Sequence, residues 1–351
     1  MTNFKVDQIE LKGISVCVPK NKIINKDNLL FDPEEIAKFS NTTNVFEFRQ
    51  ALNHQTTSDL AYEAAKQLII EMHIDVKEID ILIFVSQTPD YLNIPNTSTI
   101  LQHRLELSTK CIAFDIPLGC SGFVYGMSVI SAYMQNPLIN KGMLVFGDTP
   151  SKIVNKKDKS AALLFGDAGG CAIFTKTSRK SEMFFNLGSD GKGAESIIIT
   201  HGGSRNPMTI ESLVEKQIDN NIIRRDCDIQ LDGMDVFSFG ITQAPKTIKE
   251  LYEFASINNE MIDFAIFHQA NKMMNEMIRK KLKLDIVKVP YSLEKFGNTS
   301  SASIPLTIVT ELKEKLGGSK NLLLCGFGVG LSWGTVYLTT NEVTILDLIE
   351  L

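Results

Sequence analysis

Short apolar runs alternate along the chain with longer segments whose apolar residues recur every three or four positions. Residues 81–85, 111–114, 143–146, 172–174, 264–267, 287–289 and 322–325 are the short runs, and their length and composition predict buried strands. Residues 57–72, 96–107, 121–134, 240–254, 271–282 and 301–315 carry the helical period. Thr56-Thr57-Ser58-Asp59 places hydroxyl and carboxylate groups where a helix start needs acceptors for its free N–H groups. Strand and helix in alternation predict an α/β protein with largely buried sheets. Residues 186–225 are polar, contain glycine and show no clear period, so they read as an excursion near the middle of the chain.

Two of the apolar runs have partners further on. Ile79-Asp80-Ile81-Leu82-Ile83-Phe84 resembles Ile262-Asp263-Phe264-Ala265-Ile266-Phe267, and Met143-Leu144-Val145-Phe146-Gly147 resembles Leu322-Leu323-Leu324-Cys325-Gly326. The pairs keep their order, at offsets of 183 and 179 residues. Together they predict a duplicated α/β unit, with one half over 1–180 and the other over 181–351; two unrelated α/β domains are the alternative.

Composition narrows the class. The 351 residues are 44% hydrophobic, enough for a large core, and the net charge of −5 provides no basic footprint for nucleic acid. The first twenty residues lack the apolar core of a signal peptide, and no apolar run reaches the length of a membrane span, so a cytoplasmic protein off the membrane is expected. The six cysteines are scattered, without disulfide-framework or zinc-ligand spacing, and no metal site is expected. Cys17, Cys111, Cys171 and Cys325 lie in apolar stretches and read as small core residues.

Cys120 differs. In Leu118-Gly119-Cys120-Ser121-Gly122-Phe123 it falls between a predicted strand and an apolar helix, where free N–H groups and the helix dipole favour a thiolate. Taken alone, a core cysteine is the plainer reading. His268, in Phe267-His268-Gln269-Ala270-Asn271, follows a strand at the end where α/β proteins collect functional groups. It is a candidate hydrogen-bond donor or proton relay, and otherwise a satisfied core histidine. Asn298, in Gly297-Asn298-Thr299-Ser300, is a candidate neutral donor in what is otherwise an ordinary turn. Gly326-Phe327-Gly328-Val329-Gly330 presents backbone N–H groups after a strand, but lacks the spacing and lysine of a phosphate loop.

These four segments, in this order, resemble the β-ketoacyl-acyl-carrier-protein synthase III family of the thiolase superfamily. Thr56-Thr57-Ser58-Asp59-Leu60-Ala61 and Phe165-Gly166-Asp167-Ala168-Gly169-Gly170 agree with it, and the resemblance runs from about residue 10 to about residue 340. It implies a thiolase-like fold with α-β-α-β-α layering. It implies that Cys120 takes an acyl group from acyl-CoA, and that His268 and Asn298 hold the enolate formed when malonyl-acyl-carrier protein loses CO2. The backbone N–H groups of Cys120 and Val329 would hold the oxyanion of the acyl-enzyme carbonyl. No metal or redox cofactor is implied.

The sequence also departs from the family. Its usual Arg-Thr-Gly-Ile stands here as Thr42-Thr43-Asn44-Val45, and the arginine expected after His-Gln-Ala-Asn is Met273. Lys272, Arg279, Lys280, Lys281 and Lys283 are candidates for an acidic carrier protein's docking patch, a solvated helix face being the alternative. The departures suggest an altered carrier or acyl substrate, in a specialised pathway rather than general fatty-acid initiation. The resemblance further implies a homodimer in which a partner's Tyr91–Pro95 segment closes the acyl pocket, with Ile94 near the gate. Three competing readings remain at this stage: acyl transfer to an alcohol or amine without condensation, a cysteine hydrolase, and a non-catalytic partner of a condensing enzyme.

Overall fold

The computed structural model describes residues 2–92 and 94–351. Two sheets face each other across a layer of buried helix. In the first, Ile81–Val85 lies parallel to both Ile112–Ile116 and Lys141–Asp148; Ala168–Lys176 and then Ile9–Val18 follow antiparallel. In the second, Phe264–Phe267 lies parallel to Lys320–Gly328, followed antiparallel by Ser332–Thr340 and Glu182–Ser189. The two repeated segments are parallel strand pairs, 81–85 beside 141–148 and 264–267 beside 320–328, each followed by an antiparallel strand; 81–85 has a second parallel neighbour in 112–116, whereas 264–267 lies at the edge of its sheet. The chain ends cross over. Thr2–Asp7 pairs with Glu182–Ser189 in the second sheet, while Thr344–Ile345 and Ile349–Glu350 pair with Ile9–Val18 in the first.

The helix Gly122–Tyr133 fills the space between the sheets. Phe123, Val124, Met127 and Ile130 are fully buried among Ile83, Val85 and Leu144 of one sheet and Leu324 and Val336 of the other. Its apolar character all round is what a helix walled on both sides requires. Ser303–Thr307 is the corresponding element of the second half in the same core. Thr57–Glu71 and Thr97–Arg104 cover the first sheet's outer face, and Gly233–Ala255 and Lys272–Leu282 the second's. Layered α-β-α-β-α architecture results.

Three expected elements differ. The run expected as a buried strand over 111–114 is the half-exposed edge strand Ile112–Ile116, which among the described residues has a neighbour on one side only. Residues 287–289 are not a strand: Asp285 accepts the Val287 N–H at 3.1 Å and starts a 3₁₀ turn, leaving Ile286 and Val287 exposed. The helix expected over 301–315 is broken into Ser300–Ala302, Ser303–Thr307, Ile308–Leu312 and Lys313–Lys315. Pro305 has no N–H to donate, and the Thr307 and Thr310 hydroxyls bond back to the carbonyls of Ser303 and Leu306. The unassigned 186–225 stretch completes a strand of the second sheet and then supplies Ile197–Ile198, which pairs with Gln230–Leu231 over the site.

Candidate active site

Cys120 lies just before the helix Gly122–Tyr133, where the Gly119 carbonyl accepts the Gly122 N–H at 2.7 Å. The second sheet comes down on it from the other side. A Cβ placed on Gly328 would lie 2.6 Å from the Cys120 Cβ and 2.8 Å from its sulfur, and one on Gly326 2.7 Å from the Cys120 carbonyl oxygen. These glycines serve close approach of two backbones. The approach turns the Val329 N–H toward the sulfur, where it joins the Cys120 N–H and the Ser300 hydroxyl, whose Oγ is 4.0 Å from Sγ.

These donors favour a thiolate, yet burial outweighs them and the nearby Asp148 carboxylate adds to it, so the Cys120 thiol is pushed up to about 11. The helix terminus alone predicted a thiolate near neutrality. The sequence did not show how completely the sulfur is enclosed.

His268 follows the strand Phe264–Phe267. Its N–H reaches the Cys325 carbonyl at 2.8 Å, and its own carbonyl accepts from Ala270 N and, at 3.0 Å, from Asn275 Nδ2. The ring stands edge-on to Phe327, and Nδ1 lies 2.7 Å from Ser303 Oγ. Burial pushes the imidazole down to about 3, against a hydrogen bond to the Ser300 backbone that acts the other way. A neutral imidazole carries one N–H; in the tautomer in which Ser303 donates to Nδ1, that N–H is on Nε2.

Asn298 follows Gly297, whose φ of +61° suits glycine and whose Cβ would lie 2.5 Å from the Leu164 carbonyl oxygen. The Asn298 backbone bridges to 164–166, donating to Leu164 O at 2.9 Å and accepting from Gly166 N at 3.0 Å. The side-chain Oδ1 accepts the Ser300 N–H at 2.9 Å. That bond fixes the amide orientation and leaves Nδ2 as the donor available to the cavity.

Cys120, His268 and Asn298 all line one cavity of about 150 Å³. Ile153, Leu164, Ile197, Ile199, Leu231 and Val236 give it apolar walls. The 186–225 excursion and the strand after it are thus part of the site, which their polar sequence did not suggest. Asp148 also lines the cavity and was missed. It ends the strand Lys141–Asp148, and its place at a strand's carboxyl end was the available signal.

The outlying candidates are placed differently. Lys272 is exposed and its Nζ donates to Asn44 Oδ1 at 3.2 Å, which brings the Thr42–Val45 departure and the helix after His268 side by side. Met273 is exposed beside it. Arg279 is held by Glu276 through a 2.8 Å ion pair and by the Leu284 carbonyl at 2.7 Å, and does not line the cavity. Ile94 is 86% exposed and is not among the described residues that line the Cys120 cavity; Tyr91 and Leu92 are also largely exposed, and Asn93 lies outside the described residues. Asp167 accepts from Ala51 N and Ser151 N at 2.7 and 3.0 Å, a structural tie in the Gly-Asp turn.

Family descriptions match the two regions that carry these groups: "3-Oxoacyl-[acyl-carrier-protein (ACP)] synthase III" over residues 114–191 and its C-terminal counterpart over residues 252–340. The Streptococcus pneumoniae β-ketoacyl-[acyl-carrier-protein] synthase III is 32% identical over 334 residues, covering 94% of this chain and 98% of that protein. The chain belongs to the β-ketoacyl-acyl-carrier-protein synthase III family. The Clostridioides difficile β-ketoacyl-[acyl-carrier-protein] synthase III is 34% identical over 84% of this chain and 87% of its own length. The crystal structure of a Burkholderia xenovorans 3-oxoacyl-(acyl-carrier protein) synthase superposes with a TM-score of 0.94 at 33% identity, covering 100% of this chain and 99% of that one. Both the thiolase-like fold and the condensing function of synthase III follow from this membership. Among the described residues, no helix is long and apolar enough to cross a membrane.

Proposed function

We propose that this synthase III carries an acyl group on Cys120 and condenses it with a malonyl unit on an acyl carrier protein. The observation that carries the reading is the meeting of Cys120, from one half of the chain, with His268 and Asn298, from the other, on a single apolar cavity. Acyl-CoA is the proposed donor. The sulfur attacks the acyl thioester, and the Cys120 and Val329 amides receive the oxyanion. In the second half-reaction the malonyl thioester loses CO2, and its enolate oxygen is met by two neutral donors, His268 Nε2–H and Asn298 Nδ2–H. Neutral donors suit this step, because a charged imidazolium would be costly to bury. The carbanion attacks the acyl carbonyl and expels the Cys120 thiolate, releasing a β-ketoacyl thioester. As written, the chemistry calls on no metal or redox cofactor.

Cavity walls of isoleucine, leucine and valine support condensation over hydrolysis, since water must be kept from both the acyl-enzyme and the enolate. The exposed Lys272, Met273 and neighbouring Lys280 and Lys283 are the proposed face for an acidic carrier. Homodimerisation is proposed from the half-exposed edge strand Ile112–Ile116 and from the exposed Tyr91, Leu92 and Ile94. Incubating the enzyme with acyl-CoA and malonyl-carrier protein, and following CO2 release with β-ketoacyl product, tests the reading. Acyl-Cys120 without carbon–carbon bond formation would refute it.

A further inference from the structure

The titratable groups among the residues that line the cavity are Cys120, His268 and Asp148. The first two have roles in the reaction proposed above. Asp148 does not, although it is only 1% exposed and no lysine or arginine is among the described residues that line the cavity. One carboxylate oxygen accepts from Gln87 N at 2.7 Å and from Ser86 Oγ at 3.1 Å; the other accepts from Ser301 Oγ at 2.7 Å and Ser301 N at 3.1 Å. These bonds aim the carboxylate at the loop that carries Ser300.

Ser300 is placed in an unusual way. Its φ is +51°, a left-handed conformation that serine seldom adopts and that glycine or asparagine would fill more easily. The Asn298 Oδ1 bond to its N–H holds it there. In that conformation the hydroxyl stands 4.0 Å from Cys120 Sγ and lines the same cavity as Asp148, whose carboxylate is bonded to the next residue, Ser301, and whose charged form the Ser300 hydroxyl favours. A strained position thus keeps a hydroxyl at a buried thiol, on the cavity wall that a buried carboxylate shares.

We propose that Ser300 and Asp148 form a proton relay for Cys120 during acylation. The inference rests on the reading of Cys120 as the nucleophile. As Sγ bonds to the thioester carbonyl carbon, the thiol proton passes to Ser300 Oγ while the Ser300 hydroxyl proton passes to Asp148. The carbon–sulfur bond to the donor then breaks, and the same path returns one proton to the departing thiolate. Acyl thioester and enzyme thiol become acyl-enzyme and free thiol, with the charge of the site unchanged. A single negative charge shared through Ser300 avoids the two adjacent charges that an ionised Cys120 beside an ionised Asp148 would create. His268 is a poor acceptor for this proton, since Nδ1 is engaged by Ser303 and burial holds the ring neutral.

The test is the rate at which wild type, Ser300→Gly, Asp148→Asn and the double variant take an acyl group from acyl-CoA onto Cys120, read by quenched intact mass. Ser300→Gly suits the positive φ and keeps the backbone bond to Asn298, so its thermal midpoint should equal or exceed that of wild type. Its acylation should nonetheless slow by roughly 100-fold, the lower end of general acid–base effects. Asp148→Asn should slow acylation by a similar factor while moving the pH midpoint of Cys120 alkylation by iodoacetamide downward, because the charge opposing the thiolate is gone. The double variant should be no slower than the slower single one, as members of one relay are not additive. Ser300→Gly acylating at the wild-type rate overturns the relay and leaves Cys120 as nucleophile. Failure of wild type itself to acylate overturns the underlying reading, and the relay with it.

Discussion

A Cβ at Gly328 would meet the Cys120 sulfur at 2.8 Å, so the end of a strand in the second sheet closes over the proposed nucleophile. The contact requires glycine. Gly328→Ala is expected to fold, because the clash is with one side chain at a cavity wall, but to shift Sγ and the Val329 amide together. Acylation of Cys120 should fall by about 100-fold or more, the scale of losing one oxyanion donor. Near-normal acylation would show that the approach tolerates a methyl group.

The Asn298 amide has a fixed orientation because its Oδ1 already accepts the Ser300 N–H, which leaves Nδ2 as the proposed donor. Asn298→Asp keeps that acceptor and removes the N–H donors. Condensation should slow by about 100–1,000-fold, with a much smaller effect on the formation of acyl-Cys120. Measuring the two half-reactions separately checks this; equal losses in both would contradict a role confined to the enolate.

Burial pushes the Cys120 thiol up to about 11. Its alkylation by iodoacetamide should therefore rise about tenfold per pH unit from 7 to 10, since the thiolate fraction does. A plateau below pH 8 would mean a preformed thiolate. The same shift bears on stability. The folded state keeps a proton that the unfolded thiol loses at lower pH, so stability should decline as pH rises above about 9.

His268 works in the opposite direction. Its folded-state value of about 3 lies below the usual 6.5 of a free imidazole, so the unfolded chain binds the extra proton first as pH falls. Stability is fully present above pH 6.5 and lost progressively toward pH 3, by roughly 2 kcal/mol at pH 5 from this group. Thermal midpoints at pH 7.5 and 5 for wild type and His268→Gln test it; the variant should lose less. Identical losses would assign the acid sensitivity elsewhere.

Much of this was legible in the sequence. Cys120, His268 and Asn298 each stand where a strand or glycine turn gives way to helix, and each lines the cavity. The repeat at residues 81 and 264 marked the two parallel strand pairs. Three things were not legible, for distinct reasons. Asp148 is bonded by residues at 86–87 and 301, distant in sequence, so only the fold reveals its surroundings. The Ile197 and Leu231 walls come from two-residue strands too short to show a period. Enclosure of the thiol depends on Gly328 and Val329, some 200 residues away, and so the local helix-terminus argument gave the wrong direction for its ionisation.

The exposed Ile94 segment predicts an interface. Sedimentation should show a dimer, and Ile94→Asp should weaken association and reduce acylation together. A fully active monomer would contradict the proposed partner loop.

The central claim is that Cys120 carries the acyl group. Intact mass after incubation with a panel of acyl-CoAs, for wild type and Cys120→Ala, tests it most directly. One acyl adduct on wild type, absent from the variant, is the predicted result, and the chain that loads fastest identifies the acyl class. An adduct that persists in Cys120→Ala, or none from any acyl-CoA or acyl-carrier protein, would contradict it.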